Sequence, residues 1–341
     1  MRRIICAAAF IMAMMMVKTS YGQDPSFSQF FSSPLNVNPA LTANINGDWR
    51  MISNLRDEWI QPASPYATGT VSFDKKILQE NIPNVPEKNV FGIGGMLMYD
   101  YAMGGIVKGT YASLDFSYNI KIAEDGYGNS HRLGIGVGVI YGHRFVDFSR
   151  LNFQEQFVGT GFNTNLPTGE AALSNMKSYI SSTAGLLYTF KTEKSNFDLG
   201  VSAYHLNKPK QTFLEDPNQF LPMRKVVHSN FETFLNDRVV LNANGIYQEQ
   251  GGAHYFSVGS AIGYYLDPDG ETIFNVGLWY WSKNAIIPYV GFTYNDFQLG
   301  LSYDATVSKL DQTASKPSTF ELSLILRGRN KPSGVIPCPW K

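Results

Sequence analysis

Phe297-Gln298-Leu299-Gly300-Leu301-Ser302-Tyr303-Asp304 is the stretch that decides the fold. Side chains alternate across a β-strand, so Phe297, Leu299, Leu301 and Tyr303 share one face and Gln298, Gly300, Ser302 and Asp304 the other. After a linker, Phe320, Leu322 and Leu324 alternate with Glu321 and Ser323 in the same way. Two architectures use such a pattern. A soluble sandwich turns the apolar stripe into its core. A membrane barrel turns it to lipid and keeps Asp304 and Glu321 in a wet lumen.

Composition favours the barrel. Only 16% of the 341 residues are charged, against roughly a quarter in ordinary soluble domains, so a fully solvated exterior is poorly supplied. Formal net charge is zero, which removes the electrostatic case for nucleic acid as a partner. A mean hydropathy of -0.16 excludes a bundle of membrane helices, but a barrel tolerates it because half of each strand faces water. At the N-terminus, Arg2 and Arg3 precede an apolar run from Ile4 to Val17, too short and wrongly flanked for a spanning helix. Small residues at Ser20 and Gly22 place cleavage between Gly22 and Gln23, so residues 1–22 read as a signal peptide for export. Removal of Cys6 leaves Cys338 alone, and an internal disulfide is excluded.

Residues 23–46 form a turn-rich lead-in with Pro25, Pro34 and Pro39 and three phenylalanines, read as a periplasmic arm or a partial plug of the barrel mouth. Fourteen strand candidates follow without an intervening helix, near 50–59, 65–74, 90–99, 107–121, 131–146, 179–191, 196–206, 225–236, 238–248, 253–266, 272–281, 286–294, 297–304 and 319–326. In the fifth, Leu133, Ile135, Val137 and Val139 oppose Arg132, Gly134, Gly136 and Gly138. Inward faces of Gly, Ser and Ala suit a crowded wall against which a plug presses. Aromatics near strand ends (Trp49, Trp59, Tyr99, Tyr101, Trp279, Tyr280, Trp281, Tyr289, Tyr294) fit two interfacial girdles. The long connections 147–178, 207–224 and 305–318 all follow odd strands, as they should if both ends of the barrel chain are periplasmic. The fold expected is therefore all-β: a single 14-stranded antiparallel outer-membrane β-barrel over residues 47–327, with the N-terminal arm and a periplasmic tail over 328–341.

No catalytic constellation emerges. The histidines 131, 143, 205, 228 and 254 lack metal-type spacing, the Gly-rich runs lie inside strands, and no Gly-x-Ser-x-Gly elbow occurs. Cofactors are not called for. Arg56, Glu58, Asp115, Arg132, Arg144, Asp304 and Glu321 all fall on the expected lumen face. Both signs are present, so they brace the interior as ion pairs or, in an open channel, set selectivity. The long loop after the fifth strand carries Phe153, Phe157 and Phe162, a candidate partner surface.

Gln23-Asp24-Pro25-Ser26-Phe27-Ser28-Gln29, followed by Asn38-Pro39-Ala40, resembles the mature N-terminus of the PorP/SprF family. Arg56 to Trp59 resembles that family's Arg-x-x-Trp, and Ser302-Tyr303-Asp304 with Phe320-Glu321-Leu322-Ser323-Leu324 its C-terminal signature. Pro337-Cys338-Pro339 is similar to the tail of one branch, though Trp340 and Lys341 close this chain where an aromatic usually does. The resemblance implies a non-enzymatic outer-membrane barrel of the type IX secretion system. Such barrels assist export or surface attachment of cargo, such as adhesins with a dedicated C-terminal domain, and are linked to periplasmic ring and motor components. The residues alone leave a porin-like pore for small solutes as the rival, with a barrel hydrolase behind it.

Overall fold

The computed structural model describes residues 22–59, 66–78, 89–125, 129–170, 176–211, 219–267, 271–282, 284–307 and 318–328. Residues 1–21, in which the expected signal segment falls, Cys338 and the expected tail beyond Gly328 lie outside the described residues. Fourteen strands close into one antiparallel barrel in which each strand pairs with its sequence neighbours and the last returns to the first. They are β1 (Trp49–Glu58), β2 (Tyr66–Ile77), β3 (Asn89–Ala102), β4 (Val107–Glu124), β5 (Ser130–Val146), β6 (Tyr179–Lys191), β7 (Ser195–Tyr204), β8 (Arg224–Asn236), β9 (Val239–Gln250), β10 (Ala253–Tyr265), β11 (Thr272–Trp281), β12 (Ala285–Tyr294), β13 (Phe297–Thr306) and β14 (Ser318–Gly328). Closure leaves no edge of unpaired backbone groups, which a membrane setting requires.

Hairpin chemistry explains the tight joins. Gly251 and Gly252 both take positive φ (58° and 84°) between β9 and β10, the geometry of a two-residue turn whose twist matches the strands. Asn295 does the same at φ 53° between β12 and β13. The short turns at Asn295-Asp296 lie at the end where β1 begins and β14 ends, hereafter the turn end. The loop after β5 lies at the opposite, loop end.

Side chains alternate as the opening stretch requires. Leu301 is 51% exposed and Val137 52%, whereas Asp304 and Glu321 are 2% and 3% exposed. Large apolar side chains cover the outer face on nearly every strand, among them Leu55, Leu97, Leu114, Leu186, Val258 and Leu278. A continuous apolar belt of this kind far exceeds the patches that water-exposed monomers carry and matches a lipid-facing surface.

The inner face is not uniformly small and polar. Trp279, Tyr289 and Ile287 are each 1% exposed and pack with Tyr204, Val226 and Ile246 inside the ring. Trp281 also turns inward, beneath the Arg56 guanidinium at 5.2 Å. Three aromatics assigned by the sequence to interfacial girdles, Trp279, Trp281 and Tyr289, are thus interior residues, while Tyr99, Tyr280 and Tyr294 do face outward. The reason is what they meet. Phe30 and Val37 of the lead-in are buried in the same cluster, with Phe31 and Leu41 packed against it. Phe31 stacks on Trp279 with ring centroids 4.8 Å apart. Burying these rings removes apolar surface from a lumen that would otherwise be wet.

Candidate functional site

The lead-in runs through the lumen. Asp24 lies at the loop end and Asp48 donates its backbone N–H to Gly328 at the turn end, so the segment between them spans the barrel. Three short helical turns, Phe30–Ser32, Pro34–Val37 and Pro39–Leu41, compact it. Proline at the start of the second and third supplies a preset φ and needs no N–H partner. Asn38 caps the third by accepting from the Ala40 N–H.

Four groups of wall residues grip it. The first is a charge cluster set by register: Arg56 on β1 stands directly opposite Glu321 on β14, and Glu321 opposite Ser302 on β13. Arg56 reaches Glu321 at 2.8 Å, Asp304 at 3.0 Å and Glu58 at 2.7 Å. Glu321 then accepts the backbone N–H groups of Ser28 (2.6 Å) and Gln29 (2.7 Å), one on each carboxylate oxygen. The Ser28 hydroxyl donates to Asp304 at 2.6 Å and also accepts from Arg56. The Gln29 amide donates to Ser302 (3.0 Å) and accepts from Ser323 (2.7 Å). Buried ions of both signs satisfied in this way are tolerated where an unpaired one is not.

The second grip is at the loop end. Asp24 accepts from His205 at 2.7 Å and lies 3.3 Å from the Arg224 guanidinium, and its N–H donates to Gln250 at 2.8 Å. Burial alone raises the Asp24 carboxyl, but the Arg224 charge and the His205 hydrogen bond outweigh it and hold it well below the usual carboxylate range. Arg224 also lies 4.0 Å over the Tyr204 ring and donates to the Asn36 carbonyl at 3.1 Å. The third grip is mid-barrel: the Asn38 amide donates to the Leu186 carbonyl (3.0 Å) and meets His228 (3.0 Å), while Ser202 donates to the Val37 carbonyl (2.6 Å). The fourth, nearer the turn end, has Asp74 accepting from the Ala43 N–H (2.7 Å) while paired with Arg50 (2.7 Å), and Ser117 donating to the Thr42 carbonyl (2.6 Å).

Glycines on the wall make the approach close enough. A Cβ at Gly136 would lie 2.5 Å from the Ala40 Cα and nearer still to its nitrogen. At Gly92 it would lie 2.7 Å from the Thr42 carbonyl oxygen, and at Gly185 2.9 Å from the Asn38 amide carbon. Small residues on the inward faces of β3, β5 and β6 are therefore the mould of the segment.

Of the seven charges expected in the lumen, the structure brings four together: Arg56, Glu58, Asp304 and Glu321. The other three face inward but stand apart. Asp115 is buried and accepts from Ser113 at 2.8 Å, Arg144 donates to the Tyr111 hydroxyl at 3.4 Å, and Arg132 lines a cavity at the turn end. Gly22 and Gln23 are exposed beside the loop-end grip. Phe157 and Phe162 are 53% and 52% exposed and pair edge to face, 5.2 Å apart, at the tip of a small hairpin closed by Val158 N–H to the Gly161 carbonyl; Phe153 is half-buried. Arg50, Asp74 and Arg224 were not singled out by sequence, Asp24 entered only through the family resemblance, and His205 and His228 were weighed only as metal ligands. Arg50 shares the parity of Arg56 on β1, which was a legible signal, but Arg224 and His228 gain meaning only from the segment they hold.

Fold and grips together define a class: a transmembrane β-barrel of the outer-membrane type whose lumen is occupied by its own N-terminal segment. The family is set by the sequence. The chain belongs to the PorP/SprF family, the family model described as "Type IX secretion system membrane protein PorP/SprF" matching residues 19–326. It is thus an outer-membrane component of the type IX secretion system. None of the curated proteins matches it. Among solved structures it is similar to a deletion mutant of the TodX monoaromatic hydrocarbon channel, at 8% identity and TM-score 0.50, over 86% of this chain and 93% of that one. It is also similar to the Pseudomonas putida toluene transporter TodX (11% identity, TM-score 0.48, 86% and 93% covered). CdiB from Acinetobacter baumannii is a further likeness (10%, 0.43), where the match covers 82% of this chain but only 60% of CdiB. At such identities the likeness is one of fold. Of the residues quoted above for the resemblance, Asp24, Ser28, Gln29, Asn38, Arg56, Asp304 and Glu321 take part in joining segment to wall.

Proposed function

We propose that this barrel works as a plugged adaptor that assists export or surface attachment of cargo proteins and links them to the periplasmic machinery. The chain is exported with cleavage ahead of Gln23, residues 23–46 serve as the plug, and the tail from 328 to 341 remains periplasmic. The observation that carries the reading is the lumen filled by a segment gripped along its length, since a pore for small solutes needs a continuous wet path. The cargo's C-terminal domain docks at the loop end, where the exposed Phe157 and Phe162 tip supplies an apolar anchor. The turn end faces the periplasm, as short connections do in outer-membrane barrels, and meets ring or motor components.

Tagged protein isolated from outer membranes should carry with it a secreted protein bearing a C-terminal sorting domain and at least one periplasmic component, identified by mass spectrometry. The double substitution Phe157→Ala, Phe162→Ala should lose the cargo and keep the periplasmic component. Recovery of neither class defeats the reading. Steady ion conductance of the purified barrel in a planar bilayer would favour the porin-like alternative.

A further inference from the structure

Between residues 28 and 43 the wall grips the N-terminal segment by its backbone. Wall side chains donate to its carbonyl oxygens: Asn54 to Ser32 (2.9 Å), Tyr204 to Leu35 (3.0 Å), Arg224 to Asn36 (3.1 Å), Ser202 to Val37 (2.6 Å) and Ser117 to Thr42 (2.6 Å). Wall carboxylates accept its N–H groups, Glu321 from Ser28 and Gln29, and Asp74 from Ala43. Nearly every residue of any polypeptide offers these groups, whatever its side chain. Main-chain contacts of this kind supply affinity, and side-chain pockets supply selectivity. Nor does the segment exhaust the site. Asn54 Oδ1 and Asp304 Oδ1 are buried without a hydrogen-bond partner, and so is the Ser32 hydroxyl on the segment itself. Buried polar atoms are seldom left in that condition. A cavity of about 60 Å³ is lined by Phe30, Phe31 and Leu41 of the segment and by His228, Asn230 and Asn244 of the wall.

We propose that the lumen is a receptor for polypeptide backbone: the N-terminal segment fills it in cis, and a segment of the cargo chain entering from the loop end takes the same contacts in its place. The inference rests on the adaptor reading above and names what the cargo does after docking. Direction follows from the path of the chain. Gln23 is exposed at the loop end, whereas the other end of the segment runs into β1 at the turn end. With cleavage ahead of Gln23, the end that can peel is the one a partner outside the cell meets. The Asp24 contacts to His205 and Arg224 are the first to break, and the Glu321 contacts follow.

The test uses the full barrel in neutral detergent, with synthetic peptides as probes. A fluorescent peptide with the sequence of residues 23–46 should bind saturably by anisotropy. Asp24→Ala in the barrel, which frees the end of the cis segment and leaves the wall intact, should tighten that binding by about tenfold, a gain that misfolding cannot imitate. N-methylation of the peptide at the positions of Ser28, Gln29 and Ala43 removes the N–H donors and spares every side chain. It should weaken binding by about tenfold or more, and by more than Ser28→Ala, Gln29→Ala and Asn36→Ala made together in the peptide. The alanine peptide differs in mass from the cis segment, so amide exchange read by mass spectrometry follows each. At saturation the cis amides of residues 28–43 should lose protection while strand amides keep theirs. No saturable binding to the Asp24→Ala barrel, an N-methylated peptide that binds as tightly as its parent, or cis amides that stay protected under bound peptide each overturn the proposal. The two readings separate: peptide exchange without co-isolated cargo defeats the adaptor role and leaves a backbone receptor standing, and co-isolated cargo without peptide exchange defeats only the receptor.

Discussion

Gly136→Ala tests whether the plug or the wall yields. The added Cβ would sit 2.5 Å from the Ala40 Cα, and ordinary carbon contacts need about 3.5–4 Å, so something must move by about 1 Å. Gly136 lies mid-way along β5, paired to Ser117 on β4 and to Gly185 on β6, and the ladder on both sides resists displacement. The Pro39–Ala40 turn is held by a few side-chain bonds and yields first. Overpacking of this kind costs about 1–3 kcal/mol, which is a rise of roughly 5- to 150-fold in the undocked fraction of the segment. Amide hydrogen exchange read by mass spectrometry on the peptide covering residues 34–46 reports that fraction directly. Protection there should fall by that factor in Gly136→Ala while strand peptides keep theirs, and ion conductance should rise with it. Gly245→Ala is the matched control, because its Cβ would meet nothing nearer than 3.6 Å. Unchanged protection of 34–46 in Gly136→Ala, or equal loss in both variants, would refute the mould.

Arg56→Met should leave Glu321 and Asp304 buried without their countercharge and lower barrel stability by about 3–5 kcal/mol, read by urea unfolding from detergent micelles. A loss under 1 kcal/mol would mean the cluster is not a brace. The folded carboxyl of Asp24 lies below its unfolded value, with His205 and Arg224 facing it, so its contribution is complete above the ordinary carboxylate pKa near 4 and is lost as pH falls through the lower folded value. Exchange protection of residues 24–28 should therefore hold from pH 7 to about 5 on account of this group and decline only in stronger acid; loosening by pH 6 would contradict the assignment. Val137→Lys on the outer belt should cost about 2–4 kcal/mol on refolding into lipid vesicles if that position meets the bilayer midplane, and nothing measurable if the face meets water.

How much of this was legible is a question of range. Alternation is a local property: Leu301 beside Ser302 or Val137 beside Gly138 states which side chains share a face without knowing the partner strand, and so strand number, sidedness and the lipid-facing belt could be read along the chain. Arg56, Asp304 and Glu321 could be assigned to one face by parity alone. That they form one cluster required the closing register of β1 on β14, which joins positions 265 residues apart. The interior placement of Trp279 and Tyr289 was out of reach for the same reason. Period two separates two faces but does not say what either one meets, and an aromatic near a strand end reads as a girdle until a phenylalanine from residues 30–31 is seen against it. Sequence by itself determined a closed sheet with an apolar outside, because side-chain direction follows from strand geometry. Tertiary structure decided what fills the inside, because the path of the N-terminal segment is set by long-range hydrogen bonds and by wall glycines that carry no label in one dimension.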